Sequence, residues 1–305
     1  MLNKIFFVFF QVLGIYVITF MLLHMIPGDP IQVMLGDSAS LADQDKLREE
    51  LGLNQPIFKQ LADSLIKVTQ GDFGYSIIQK TPVLNQLFLA AKNTYLLAVT
   101  SICIAIFFGV MGGILAAKYH NLFIDRFVMS LSILFISIPH FFLGPLLIII
   151  FSIGLGWFPV SGMVGPYSII LPAFTLSLGL IAIIIKLTRN CMLELFESDI
   201  VRTAKAKGLG EWAVLIRHTF RLILIPVVSI VGMQFGSLLS GAVITETIFS
   251  WNGLGMLLVE SIETRDYPIT QACILVIALS YIIINIFTDL IYGSVDPRLR
   301  GGKFA

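Results

Sequence analysis

Charge is scarce in this chain. Lys, Arg, Asp and Glu make up 13% of its 305 residues, against roughly 25% in soluble domains. That deficit excludes an ordinary water-soluble protein, because most of the chain must be solvated by lipid. Neither sign dominates: 20 basic residues meet 19 acidic ones, so the basic field of a nucleic-acid binder is missing. Cysteine is rare as well. Cys103, Cys191 and Cys273 stand at unrelated spacings in or beside apolar runs, which fits small packing residues and no disulfide or metal pattern. The motifs of nucleotide and hydrolytic chemistry do not occur. No G-x-x-x-x-G-K-[ST] is present to cradle phosphates, and there is no H-E-x-x-H or G-x-S-x-G. The chain therefore offers no catalytic set, no metal site and no nucleotide site of its own. Its halves show no internal repeat, which removes support for an inverted-repeat transporter.

Long apolar runs, by contrast, are abundant. About 20 apolar residues cross the hydrocarbon core. Residues 5–25 contain no Asp, Glu, Lys or Arg. Their length, with no small-residue cleavage site before Pro27, reads as a retained anchor and not a cleaved signal. Further spans are predicted over 96–117, 127–153, 169–185, 222–244 and 270–292. Pro139 and Pro145 predict a kink in the third. Six spans put both termini on one side. Lys4, Lys118, Arg126, Lys186, Arg189, Arg202, Lys205, Lys207, Arg217, Arg221, Arg298, Arg300 and Lys303 all fall at that side, and the opposite short loops carry only Arg265. By the positive-inside rule that side is cytoplasmic. The expected architecture is an all-α integral membrane protein. Residues 1–26 form its N-terminal transmembrane helix, 27–92 an external subdomain, and 93–305 the transmembrane core with a cytoplasmic loop over 190–221.

The external segment reads as a small helical cap. Ser40 is placed to cap a helix running to Gly52, with Asp43 three residues on. Pro56 opens a second, with Phe58, Leu61, Leu65 and Val68 on one stripe. Gly71, Gly74 and Pro82 punctuate the rest of the segment. The cap is either a contact for a soluble ligand carrier or a lid packed on the spans. Gly109 with Gly113, and Gly232 with Gly236 and Ser240, repeat small residues at spacing four, the mark of close helix contacts in lipid. His140 is ionisable within the third span, so it is a candidate functional residue or a satisfied structural one. Asp289, near the cytoplasmic end of the last span, reads as structural.

One segment stands apart. Residues 199–226 read DIVRTAKAKGLGEWAVLIRHTFRLILIP, basic and amphipathic between two apolar runs. A helix is expected over 200–207, ended by Gly208. Arg202, Lys205 and Lys207 project polar heads, and Val201, Ala204 and Leu209 offer an apolar contact surface. After Gly210, Trp212, Val214, Leu215 and Ile216 begin a second amphipathic run. Two physical readings stay open: a knob that docks in a partner's groove, or an interfacial helix lying on anionic lipid.

The segment Asp199-Ile200-Val201-Arg202-Thr203-Ala204-Lys205-Ala206-Lys207-Gly208-Leu209 resembles the cytoplasmic coupling loop of bacterial ABC-transporter permeases, in the branch that imports dipeptides, oligopeptides and nickel complexes. Arg202-Thr203-Ala204 stands where the wider permease pattern has Glu-Ala-Ala, and Gly208 matches its glycine. The pattern's Leu-Pro end differs; Arg217-His218-Thr219-Phe220-Arg221 and Ile225-Pro226 resemble the branch's own version. Other stretches resemble the branch in order along the chain. They include Pro27-Gly28-Asp29-Pro30, Leu51-Gly52-Leu53-Asn54-Gln55-Pro56 and Gly71-Asp72-Phe73-Gly74-Tyr75-Ser76. Phe249-Ser250-Trp251-Asn252-Gly253-Leu254-Gly255, Arg265-Asp266-Tyr267-Pro268 and Val295-Asp296-Pro297-Arg298-Leu299-Arg300 complete the set. Asn252 departs from the branch, which usually has Pro there.

The resemblance implies a permease subunit in the bacterial inner membrane. Its implied partners are a second related permease, two cytoplasmic ATP-binding subunits that hold ATP and Mg, and an external solute-binding protein. It assigns ATPase coupling to Asp199, Val201, Arg202, Thr203, Ala204, Lys205, Lys207, Gly208 and Leu209. Asn93, Thr94, His140, Gln234 and Ser237 are the candidates for lining a solute path. Peptide is the expected cargo, with nickel chelate and glutathione as alternatives. A membrane enzyme built on Glu260, Glu263 and Asp266 is a rival, but Arg265 sits among these acids and no His is near. A scaffold without transport is another.

Overall fold

The computed structural model describes residues 2–25, 31, 41–50, 52, 54–210 and 220–295. Among these every regular element is helical, and pairing between extended segments is limited to one isolated bridge, Tyr75 with Pro82. Helices α1 (Leu2–Met25), α2 (Leu41–Glu50) and α3 (Ile57–Thr69) come first. They are followed by α4 (Val83–Lys118), α5 (Phe123–Ser137), α6 (His140–Leu147) and α7 (Ile170–Phe196). Then come α8 (Asp199–Ala206), α9 (Phe220–Phe249), α10 (Leu254–Glu263) and α11 (Tyr267–Val295).

Five stretches are long and apolar enough to cross a membrane: Phe6–Met25, Val83–Lys118, Pro166–Phe196, Leu222–Phe249 and Tyr267–Thr288. A sixth candidate is a pair, Phe123–Ser137 and Phe141–Gly154, bent by 113°. The sequence predicts a kink there, and the cause is visible. Ile138 precedes Pro139, and the proline ring disfavours helical geometry in the residue before it. Ile138 is accordingly extended, with ψ 122, and caps α5. After Pro139 the chain resumes as α6 and continues into a π-helical turn over Ile148–Gly154.

Several helices outrun their predicted apolar spans. α4 begins at Val83 and not near residue 96, because Val83, Leu87 and Ala90 prolong one buried face at helical spacing. Its 36 residues give about 54 Å of helix, well beyond a hydrocarbon core of about 30 Å. α7 continues past residue 185 to Phe196, carrying Lys186 and Arg189 on its last turns.

The chain forms two compact units. The first contains residues 1–94 and 252–282, the second 95–251 and 283–305. In the first, Val83, Leu87, Ala90, Leu254, Ile269 and Cys273 are buried together. Tyr16 and Ser64 share a hydrogen bond between their hydroxyls, tying α1 to α3. The α3 stripe is only half realised: Leu61, Leu65 and Val68 are part-buried, and Phe58 is 73% exposed. The expected cap at Ser40 lies outside the described residues. In the second unit α7 is the central helix. Of its apolar window 72% is buried, against 33% for α9. Leu178, Ile184 and Met192 on α7 are fully enclosed, as are Ile223 and Val227 on α9.

Glycine sets the helix spacing in the second unit. A Cβ on Gly109 would lie 2.6 Å from Ile184 Cβ, and one on Gly113 would lie 2.5 Å from Thr188 Cβ. α4 and α7 thus meet backbone to side chain over two turns. Gly232 makes the same kind of approach to Thr288, between α9 and α11. These glycines serve packing within the chain, where lipid supplies little hydrophobic drive.

Candidate functional site

The basic segment is built from the end of α7. Ser198 makes the corner. Its backbone N–H and its hydroxyl both donate to Leu195 O, at 3.1 and 2.6 Å, and its carbonyl accepts the first bond of α8 from Arg202 N at 3.1 Å. One serine therefore fixes where the short helix leaves the long one. α8 then runs over Asp199–Ala206, one residue offset from the predicted 200–207. It closes with Lys207 N donating to Thr203 O at 3.1 Å. Gly208 comes next, with φ +78 and nothing within 4 Å of a built Cβ. The demand on that residue is its left-handed backbone, which glycine adopts without penalty.

The two faces of α8 differ in kind. Val201 is 2% exposed, so it turns inward and anchors the helix; it does not present the contact surface that the sequence pattern suggests. Arg202, Thr203, Ala206, Lys207, Gly208 and Leu209 are exposed. Arg202 and Asp199 approach to 3.7 Å, but their side chains are 81% and 93% exposed, and such a pair adds little stability. The side chains of Ala204 and Lys205 lie outside the described residues, as does the predicted second run from Trp212 to Ile216 with Arg217–Thr219. The described part is thus an apolar-anchored helix with a cationic outer face, cut off by a left-handed glycine.

A second cluster braces α7 ten residues earlier. Arg189 grips Asp125 with both ends of its guanidinium: Nε to Oδ1 at 2.7 Å and Nη2 to Oδ2 at 2.8 Å. Such bidentate charge-assisted pairs are among the stronger side-chain contacts. Asp125 also accepts from Asn121 N at 2.9 Å, and Asn121 takes φ 63 to present that N–H. His120 Nδ1 lies 3.1 Å from Asp125 Oδ2 and 3.0 Å from Arg189 Nη2. The cluster joins the turn between α4 and α5 to α7, the helix that carries α8. In the sequence, Arg126 and Arg189 register only as cations and Asp125 goes unmarked. Its partner is 64 residues away, so no local pattern marks it.

The path candidates fall into separate places. Gln234 and Ser237 on α9 line one small cavity of about 90 Å3 together with Leu176, Gly179, Leu180 and Ile183 of α7. Asn93 and Thr94 instead hold the segment after α9: Asn93 Nδ2 donates to Asn252 O at 2.7 Å, and Thr94 Oγ1 accepts from Leu254 N at 2.7 Å. Thr94 is 3% exposed. His140 opens α6, and its side chain lies outside the described residues. A further ionisable residue, Glu246 on α9, is fully buried. An acid inside an apolar helix is the signal that could have found it. Asp266, weighed as part of an acidic enzyme site, is 1% exposed and accepts from Ser76 Oγ. It is engaged in holding the turn after α3.

Residues 109–301 match the family described as binding-protein-dependent transport system inner membrane component, and residues 1–106 match the N-terminal component of the same systems. The glutathione transport system permease protein GsiC of Escherichia coli is 40% identical over 284 residues, covering 93% of each chain. Its counterparts in Shigella dysenteriae serotype 1 and Shigella boydii serotype 4 are 40% and 39% identical over the same length. Among solved structures, the MetNI methionine ABC transporter in inward-facing conformations aligns with a TM-score of 0.58 at 17% identity. That alignment covers 70% of this chain and 97% of the other. An amino acid ABC transporter aligns with a TM-score of 0.52 at 14% identity, covering 70% and 94%. The chain belongs to the binding-protein-dependent transport system inner membrane components, the permease subunits of ABC importers.

Proposed function

We propose that this permease carries short peptides inward, driven by ATP hydrolysed on separate subunits that grip α8. The observation that carries the coupling half is the build of α8: anchored by Val201, cationic outside, and stopped by left-handed Gly208. Closure of two ATP-binding subunits, which hold ATP and Mg, would displace α8. Ser198 and the Asp125–Arg189 brace would pass that displacement to α7 and the turn before α5. The spans would then exchange an inward opening for an outward one, a rigid-body switch biased by nucleotide binding. A second permease subunit would complete the path, and an external binding protein would deliver the solute. Both termini would lie in the cytoplasm, with residues 27–92 outside, and the bent α5–α6 pair would count as one crossing.

Gln234 and Ser237 are the retained path residues, since both line the cavity between α7 and α9. Asn93 and Thr94 act instead by holding the segment after α9. Among peptides, glutathione is favoured by the GsiC relatives, whose name specifies it; nickel chelate is the alternative cargo. The test is uptake into proteoliposomes holding the permease with its ATP-binding subunits, second permease and binding protein. Labelled glutathione, dipeptides and pentapeptides are compared. ATP-dependent accumulation of any of them is expected. Nickel chelate accumulating while every peptide is ignored would overturn the peptide reading. Turnover of a lipid without nucleotide would overturn the transport reading.

A further inference from the structure

Thr188 breaks a pattern in the long apolar helices. Thr100, Thr175, Thr245, Thr247 and Thr288 each donate their hydroxyl to the carbonyl one turn back, at 2.8–3.0 Å. That bond is the usual resort of a threonine inside a helix. Thr188 lies on α7 with Thr175 and is fully buried, yet its Oγ1 has no hydrogen-bond partner among the described residues. The corresponding acceptor, Ile184 O, belongs to the same helix and goes unused. The oxygen is shielded on all sides, so neither water nor lipid relieves it.

The cause lies in the contact with α4. A Cβ built on Gly113 would fall 2.5 Å from Thr188 Cβ and 2.8 Å from its methyl carbon Cγ2. The methyl group is therefore the part of Thr188 wedged against the backbone of α4. Bringing the hydroxyl onto Ile184 O takes a turn of χ1, because hydroxyl and methyl share the staggered positions on Cβ. The same turn carries the methyl off Gly113. Thr188 thus keeps the packing and forfeits the hydrogen bond. A second glycine–threonine contact in the same unit gives the comparison. Thr288 meets Gly232 with Oγ1 nearest the glycine, and that hydroxyl still donates to Ile284 O at 2.8 Å. The α9–α11 contact is satisfied as it stands; the α4–α7 contact is not. An unpaired buried hydroxyl raises the energy of the state that contains it.

We propose that Thr188 is a spring set into the α4–α7 contact. While the helices touch, its hydroxyl is stranded; when they part, χ1 turns and the hydroxyl regains Ile184 O. The stranded group weights the parted state about five- to 150-fold more heavily than a bonded hydroxyl would. The α9–α11 contact carries no such bias and stays closed. α7 leads into α8, so the link from this spring to transport rests on the coupling role proposed above. The spring itself does not.

Thr188→Val keeps the methyl on Gly113 and replaces the stranded hydroxyl with a second methyl of similar size. In the full-length chain in lipid nanodiscs, its unfolding midpoint should rise by about 2 °C or more. Thr288→Val, which gives up a bonded hydroxyl, should bring no rise. In the complete transporter in proteoliposomes, Thr188→Val should slow ATP-driven uptake at least about fivefold despite the added stability, because the closed contact is now favoured. Adding Gly113→Ala, which pushes the helices apart, should bring uptake back toward the wild type. A midpoint unchanged or lowered in Thr188→Val would overturn the proposal, as would equal rises in Thr188→Val and Thr288→Val. So would uptake that is not slowed, or slowed uptake that Gly113→Ala does not relieve. A wild-type transporter that accumulates no solute would overturn the transport reading instead, and the midpoints would then decide the spring alone.

Discussion

The tight contact between α4 and α7 gives a sharp test of packing in the second unit. In Gly113→Ala the new Cβ would sit 2.5 Å from Thr188 Cβ and 2.8 Å from Ile185 O. Carbon atoms in ordinary contact lie about 3.5–4.0 Å apart, so α4 and α7 must separate by roughly 1 Å. A side chain could rotate away, but a backbone oxygen cannot. Overpacking of this kind costs about 1–3 kcal/mol. Gly109→Ala meets the same wall one turn away, at 2.6 Å from Ile184 Cβ and 3.2 Å from Ile181 O. Once one alanine has parted the helices, the second should cost less, so the double variant is expected to lose less than the sum. Gly14→Ala is the control, because a Cβ there meets nothing within 4 Å. The assay is thermal unfolding in detergent across the four variants. Gly113→Ala unfolding together with Gly14→Ala would refute the close approach of α4 and α7.

The same geometry carries three other expected outcomes. Gly208→Pro demands φ near −65° where the chain holds +78; with Ala204→Glu, it is expected to abolish uptake while solute capture by the binding protein persists. Gly208→Ala, whose Cβ meets nothing and whose cost is about 1 kcal/mol of backbone strain, should retain part of it. Normal uptake by Gly208→Pro and Ala204→Glu at wild-type abundance would remove α8 from the coupling path. Asp125→Ala and Arg189→Ala should each destabilise the second unit, and a double-mutant cycle should return about 2 kcal/mol of coupling. A cycle near zero would reduce the brace to a surface contact. Tags on the two termini should respond alike to an impermeant label, both protected in sealed right-side-out vesicles. Opposite responses would make α5–α6 a re-entrant pair and leave five crossings.

The sequence exposes the spans well because lipid imposes one rule on every turn: the backbone bonds internally and apolar side chains face outward. Hence the five straight spans appear where residues run apolar. Their ends are less legible. α4 starts ten residues before Asn93, and α7 runs on beyond Lys186, because helical bonding continues where lipid stops. Pro139 announces the break in the third span through its steric effect on Ile138. At the candidate site the local signals suffice for α8, since Gly208 carries its own backbone reason for ending a helix. They do not show that Val201 turns inward, because amphipathic spacing fixes a face and not the neighbour it meets. Nor do they pair Asp125 with Arg189 or Ser76 with Asp266, contacts that depend on folding distant segments together. Asn93 and Thr94, candidates for the solute path at the outer end of the second span, hydrogen-bond to Asn252 and Leu254.

Whether an ATP-hydrolysing subunit grips the cationic face of α8 can be measured directly. A cysteine placed at Thr203, which is exposed, should form a short-linker cross-link with a cysteine in the groove of the co-expressed ATP-binding subunit. The cross-link should form from the cytoplasmic side only, and freezing it should stop ATP-driven uptake. Labelling of that cysteine by an impermeant reagent from outside, or a purified transport complex without an ATP-hydrolysing partner, would contradict the coupling role.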